Sequence, residues 1–296
     1  MTDPEQGQPG EQPPDTDSPE AVAAGVGRTS ATERDAITSD KFFFWLTPGV
    51  IVNPFDIVAV GQVNQRKQPE SRTYGLVTTL EHRTDAPNHL ANYISSDFGT
   101  LGEEPNSTRQ GTTVAAATVL SNTAEVYMPV PSERIVNFAQ PQEIQQALGT
   151  DTLLTERPQD AIPAGLIKMS NGDDAVAYLD RRYVLGPESA HVNISGISGL
   201  ATKTSYAMFL LQSILQSSSD SSKIAVIILN VKQADLLQVH LANADLSEEE
   251  QELWEKIGVS PRPFENVTYL LPRGEQGRPN SYGPIPENYT LYAYDL

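Results

Sequence analysis

Apolar positions in this chain follow two different patterns. From 41 to 138 they come in short runs: Phe42-Phe43-Phe44-Trp45-Leu46, Val50–Val52, Ile57–Val63, Tyr74–Leu80, Val114–Leu120 and Glu125–Val130. Val, Ile, Thr and Tyr dominate them, and Pro48-Gly49, Asn53-Pro54, Gly61, Pro69 and Pro129-x-Pro131 separate them. β-Branched and aromatic side chains crowd a helical turn but pack well on a pleated surface. The spacings leave no room for crossover helices, which parallel strands require. A small antiparallel barrel or sandwich is therefore predicted. The stretch from Glu81 to Gly111 is polar and poorly periodic, and reads as a surface loop with one helical turn. Pro141 to Gly149 reads as a short helix, with proline at its start and glycine past its end. The all-β N-terminal domain then spans 41–149.

After a polar linker over 150–160 the pattern changes. Gly165–Met169 and Ala175–Leu179 read as strands joined by a turn at Asn171-Gly172-Asp173. His191–Ser195 reads as a short strand entering a Gly/Ser turn. Thr204–Gln216 repeats apolar residues at helical spacing, through Ala207, Leu210, Leu211, Ile214 and Leu215. Lys223–Leu229 is continuously apolar and β-branched, as a strand buried on both faces would be. Leu246–Ile257 reads as an acidic helix, with Ser247 as N-cap and Glu250 completing a capping box. Val267–Leu271 and Leu291–Leu296 read as further strands. Strands alternating with helices predict an α/β domain over 161–296 with a largely parallel sheet.

Composition adjusts this outline at the front. Residues 1–40 carry nine acids against Arg28 and Arg34, five prolines in the first twenty positions and no aromatic residue. Such a segment buries too little apolar area to offset its ordering entropy, so a disordered acidic tail is expected. Over all 296 residues, 20 Lys+Arg against 38 Asp+Glu give a net charge of −18. That acidity disfavours a broad external face for nucleic acid. The absence of cysteine excludes disulfides, thiolate metal sites and cysteine nucleophiles. No secretory leader opens the sequence and no apolar run approaches about 18 residues, so a cytoplasmic protein with no membrane contact is expected.

The segment richest in chemistry is His191-Val-Asn-Ile-Ser-Gly-Ile-Ser-Gly-Leu-Ala-Thr-Lys-Thr-Ser-Tyr206. A strand, a small-residue turn and a Lys-Thr-Ser triplet opening a helix are what phosphate binding demands. Glycines let backbone N–H groups turn around an anion, and the helix N-terminus adds partial positive charge. Lys203 would reach the β- and γ-phosphates, and the next hydroxyl, Thr204, would coordinate Mg²⁺. The spacing departs from the standard G-x-x-x-x-G-K-[ST]. Gly196 to Lys203 is seven positions instead of six, and Thr202 replaces the second glycine. The competing reading is a tight strand–helix turn with a solvated lysine. His82 and His89 lack a placed carboxylate partner and carry no metal site. Glu248-Glu249-Glu250 opens a helix, where acids favour the dipole.

The barrel-like runs, then Ile162-Pro-Ala-Gly-Leu-Ile167, the Ala175–Leu179 strand, Arg181-Arg182-Tyr-Val-Leu-Gly186 and His191 through Lys203-Thr204, resemble the HerA-like ATPases. These are relatives of the FtsK-type DNA translocases, and the resemblance spans most of 45–296. It implies an N-terminal β-barrel followed by a RecA-like P-loop sheet, here a partial one. It also implies a homo-oligomeric ring, a hexamer in the family, that hydrolyses ATP with Mg²⁺ to move DNA, often beside a nuclease partner. Gly196, Ser198, Gly199, Thr202, Lys203 and Thr204 would then hold the nucleotide, with Ser205 a rival Mg²⁺ ligand. Asn230 stands where relatives carry an acidic residue, and Asp235 and Asp295 supply no completed acidic pair. The core therefore reads as incomplete, with nucleotide bound but little hydrolysed. DNA would be met by pore loops, to which Arg273 and Arg278 could belong, although a solvated loop is the simpler reading of that pair. The alternative function is a non-catalytic assembly module whose loop binds an anion structurally or not at all.

Overall fold

Six strands carry the first half of the chain: β1 (Gly27–Thr29), β2 (Lys41–Leu46), β3 (Ile57–Gln62), β4 (Ser71–Thr84), β5 (Gly111–Asn122) and β6 (Ile135–Phe138). In this computed structural model, which describes residues 25–65, 68–102, 110–188, 190–196, 202–217, 224–230, 236–281 and 283–293, they close into a barrel. The order is β1-β2-β5-β4-β3-β6, and every neighbouring pair is antiparallel. Period-two alternation drives the inside: Phe42, Phe44 and Leu46 are buried, while Phe43 and Trp45 face outward. With Val58, Val60, Val77 and Val136 they form one apolar cluster. Gly75 is required by close approach, because a Cβ there would lie 2.5 Å from the Phe42 ring.

Three expectations about this domain need correction. The barrel starts inside the segment read as tail, since β1 pairs both β2 and β6 and closes the sheet. Three residues are too short to give a strand signal, and closure supplies their partners. Residues 1–24 of that tail lie outside the described residues. Val50–Val52 and Glu125–Val130 form no strand. Val52 and Val130 are nevertheless buried against the barrel core, so their apolar character reflects packing without ladder pairing. The strand is Ile135–Phe138 instead, beyond the prolines that remove ladder donors.

β4 and β5 run on as a two-stranded ribbon to Thr84 and Gly111. The expected helical turn in the insert is α1 (His89–Ser95), capped by Asn88. Helix α2 (Pro141–Ala147) packs Ile144 and Ala147 against a second cluster around Ile57, Tyr74 and Met169. The predicted linker is itself helical, as α3 (Asp151–Glu156) and a 3-10 turn at Pro158–Asp160, with Leu153 buried.

The chain divides into two units, residues up to Thr152 with Ile167–Ala175, and Leu153–Leu166 with 176 onward. β7 (Ala161–Lys168) and β8 (Asp174–Asp180) form a hairpin whose turn has Gly172 at φ 90°. Asp180 caps the short α4 (Arg181–Val184). Helix α5 (Thr202–Ser217) follows, then α6 (Glu248–Ile257), with the predicted Ser247–Glu250 capping box and Gly258 left-handed at its end. β9 (Tyr269–Pro272) and β10 (Tyr289–Tyr292) pair in parallel.

Two predicted strands do not form among the described residues. His191–Ser195 and, of Lys223–Leu229, the residues Ile224–Leu229 adopt no ladder, while Lys223 lies outside the described residues; Ile227 and Leu229 are 85% and 81% exposed. Their composition favours a pleated surface, but a strand needs a neighbour, and no described residue supplies one. Among the described residues the second unit holds two separate two-stranded sheets.

Candidate phosphate-binding site

Helix α5 is the rigid part of the site. Leu210 and Ile214 are buried with Ile162. The Ser213 hydroxyl donates to the Pro163 carbonyl and the Tyr206 hydroxyl to that of Ala164, the latter at 3.0 Å. Gln212 donates to the Arg262 carbonyl at 2.8 Å and Gln216 to that of Ser260 at 2.9 Å. These polar ties orient the helix within its unit.

That first turn carries Lys203, Thr204 and Ser205. Lys203 Nζ donates to the Gly196 carbonyl at 2.8 Å. The ammonium is thereby held at the start of the helix. Thr204 and Ser205 are exposed, and their hydroxyls bond no described residue. Gly196 is exposed at the loop entrance. Ser198 and Gly199 lie outside the described residues, and Thr202 is described only through its backbone as the first residue of α5.

The electrostatics of the two long helices differ. α6 opens with Glu248, Glu249 and Glu250, which neutralise its dipole. α5 has no acid in its first turn, so its free N–H groups and Lys203 face no competing carboxylate on the helix itself. Only the second arrangement suits an anion.

Beside Lys203 lies a cavity of about 470 Å³, within the range of small-molecule sites. Leu179, Val192, Ile194, Tyr206 and Leu210 form its apolar walls. Asn193, Ser195 and Lys203 supply its polar edge. The Tyr206 ring stacks on Phe209 at 5.9 Å, and Phe209 meets Trp254 of α6 at 5.2 Å, edge to face. Burial pushes the Tyr206 hydroxyl up from its ordinary pKa, keeping it a donor to Ala164 at neutral pH. Sequence reasoning missed this aromatic line. Its signal was the i, i+3 pair Tyr206 and Phe209, read only as part of a core-facing helix.

A charged network braces the same unit. Arg157 and Arg182 lie 3.3 Å and 2.8 Å from the Asp180 carboxylate, and Arg181 lies 3.3 Å from Asp160. The hydrogen bond from Arg182 is the main cause of the Asp180 carboxyl falling to about 2. Among the described residues no carboxylate lines the cavity beside Lys203.

The remaining sequence candidates stay apart from this site. Asn230 is exposed just after Ile224–Leu229, and Asp235 and Asp295 lie outside the described residues. Arg273 and Arg278 are exposed on the connection after β9, where Gly274 N–H donates to the Arg278 carbonyl at 2.7 Å. His82 and His89 are exposed, and no cluster of three metal-ligating side chains occurs among the described residues. No helix among them is long and apolar enough to cross a membrane. No protein-family model matches this chain, and no curated protein sequence does.

Proposed function

We propose that this chain binds ATP with Mg²⁺ at the 196–205 loop, as a HerA-like protein built from a barrel and a partial RecA-like core. The observation that supports it most is the folding back of Lys203 onto the Gly196 carbonyl at the mouth of an acid-free helix. When bound, the nucleotide supplies the phosphoric anhydride and the metal its positive charge. Lys203 exchanges the Gly196 carbonyl for phosphoryl oxygens, the N–H groups of the first turn of α5 face the anion, and Thr204 or Ser205 offers its hydroxyl to Mg²⁺. With no carboxylate among the described residues of the cavity lining to orient a water, binding outruns hydrolysis. Assembly into a ring, movement of DNA and a nuclease partner belong to the same reading through the family resemblance.

A titration with Mg²⁺ and a fluorescent ATP analogue tests it, on the natural chain and on Lys203→Ala. Saturable binding that the substitution abolishes supports the reading; equal, negligible signal from both overturns it. One observation favours a second reading. Lys203 is already satisfied by Gly196 in a loop one residue longer than the standard spacing. In that case the loop is structural, and the closed barrel is an assembly module.

A further inference from the structure

The cavity beside Lys203 is larger and more apolar than a phosphate chain needs. A phosphate-only site is a ring of N–H groups around a small anion. Here a volume of about 470 Å³ extends from the lysine between Leu179, Val192, Ile194 and Leu210. Tyr206 contributes one wall, and its side chain is held at two points. The Tyr206 hydroxyl is tied to the Ala164 carbonyl, and the ring packs against Phe209, itself braced by Trp254. A ring held in this way loses little freedom when a flat group stacks on it, so the contact carries most of its intrinsic strength. Tyr206 stands one helical turn after Lys203, on the neighbouring position of the same face.

We infer that this cavity receives the base of the bound nucleotide, with Tyr206 as the stacking platform, so that Tyr206 determines preference for a nucleoside phosphate over a bare polyphosphate. This rests on the phosphate-loop reading. Lys203 takes the charged end of the ligand, and charge complementarity sets its orientation. The apolar walls take the flat end, and Asn193 and Ser195 at the polar edge stand between the two. Pairing with aromatic faces is tolerant of base identity, so purine and pyrimidine triphosphates differ little at this site.

Calorimetric titration of the whole chain with Mg-ATP and, separately, with Mg-tripolyphosphate tests the assignment. ATP binds about tenfold tighter than tripolyphosphate, as one aromatic stack provides. Tyr206→Ala removes that advantage and leaves tripolyphosphate affinity unchanged, whereas Tyr206→Phe keeps it. Val192→Trp, at another, exposed position of the lining, fills the cavity and lowers ATP affinity alone. An unchanged far-ultraviolet circular dichroism spectrum confirms that each variant is folded. Equal affinity for the two ligands in the natural chain, or parallel losses in Tyr206→Ala, overturns the base site while a Lys203-dependent tripolyphosphate signal leaves the phosphate loop standing. Absence of binding by both ligands overturns the two together.

Discussion

The barrel and the second unit are made from similar apolar residues, yet they finish differently. In the barrel every strand has two neighbours, and Phe42, Phe44, Val58 and Val136 are fully buried. In the second unit Ile224–Leu229 is at least as apolar, yet Val226, Ile227 and Leu229 stand well exposed without a ladder. Closure explains the difference. A sheet that returns to its first strand satisfies all its backbone groups, whereas an open segment depends on a neighbour for each one. The candidate site sits in the second unit, at the start of a helix preceded by the 191–196 segment, which joins no ladder. Segments with few packed neighbours open more readily than a closed barrel.

The sharpest way to break the comparison is at the barrel centre. Phe42→Ala leaves a void beside Gly75 and is expected to cost about 3–5 kcal/mol. The chain has two tryptophans, Trp45 in β2 and Trp254 in α6. Denaturation followed with only one of them retained reads each unit separately. The loss should fall on the Trp45 transition. An equal shift of the Trp254 transition would show that the units do not differ in the manner described.

The second unit has its own stabilising element in Asp180. Its carboxyl is lowered to about 2 from the ordinary 3.8, chiefly by Arg182. A depressed folded value stabilises above the unfolded pKa and is lost as pH falls from about 4 toward 2. Asp180→Asn should therefore cost about 2 kcal/mol at neutral pH, in the Trp254 transition, with the gap closing over that acid window. A gap independent of pH would assign the effect to packing alone.

The smallest effect on stability is expected at the exposed segment. Ile227→Lys combined with Leu229→Lys should change the unfolding free energy by about 0.5 kcal/mol or less, because neither side chain is packed. The same double variant should raise the concentration at which light scattering begins, since it charges an unpaired apolar edge. A large destabilisation would mean that these side chains are covered in solution.

Much of the fold could be read from local pattern. The Asn171-Gly172 turn and the Ser247–Glu250 capping box each depend on residues a few positions apart, and each forms as expected. Of the candidate site, the helix that opens beside Lys203 was legible from its apolar repeat, while the small-residue turn before it lies outside the described residues.

The elements with local causes were set by the sequence alone: the α2 and α6 helices with their start and stop signals, and the hairpin turn. Only the tertiary structure decided which apolar runs became strands. β1 has almost no propensity signal and pairs on both sides, while Ile224–Leu229 has the strongest signal and pairs with nothing described. It also decided that Lys203 turns back to Gly196 and that Tyr206, Phe209 and Trp254 align beside it. The physical reason is that propensity belongs to a residue and its neighbours in sequence. A ladder, a cavity wall or a stacked ring belongs to segments that meet only when the chain has folded.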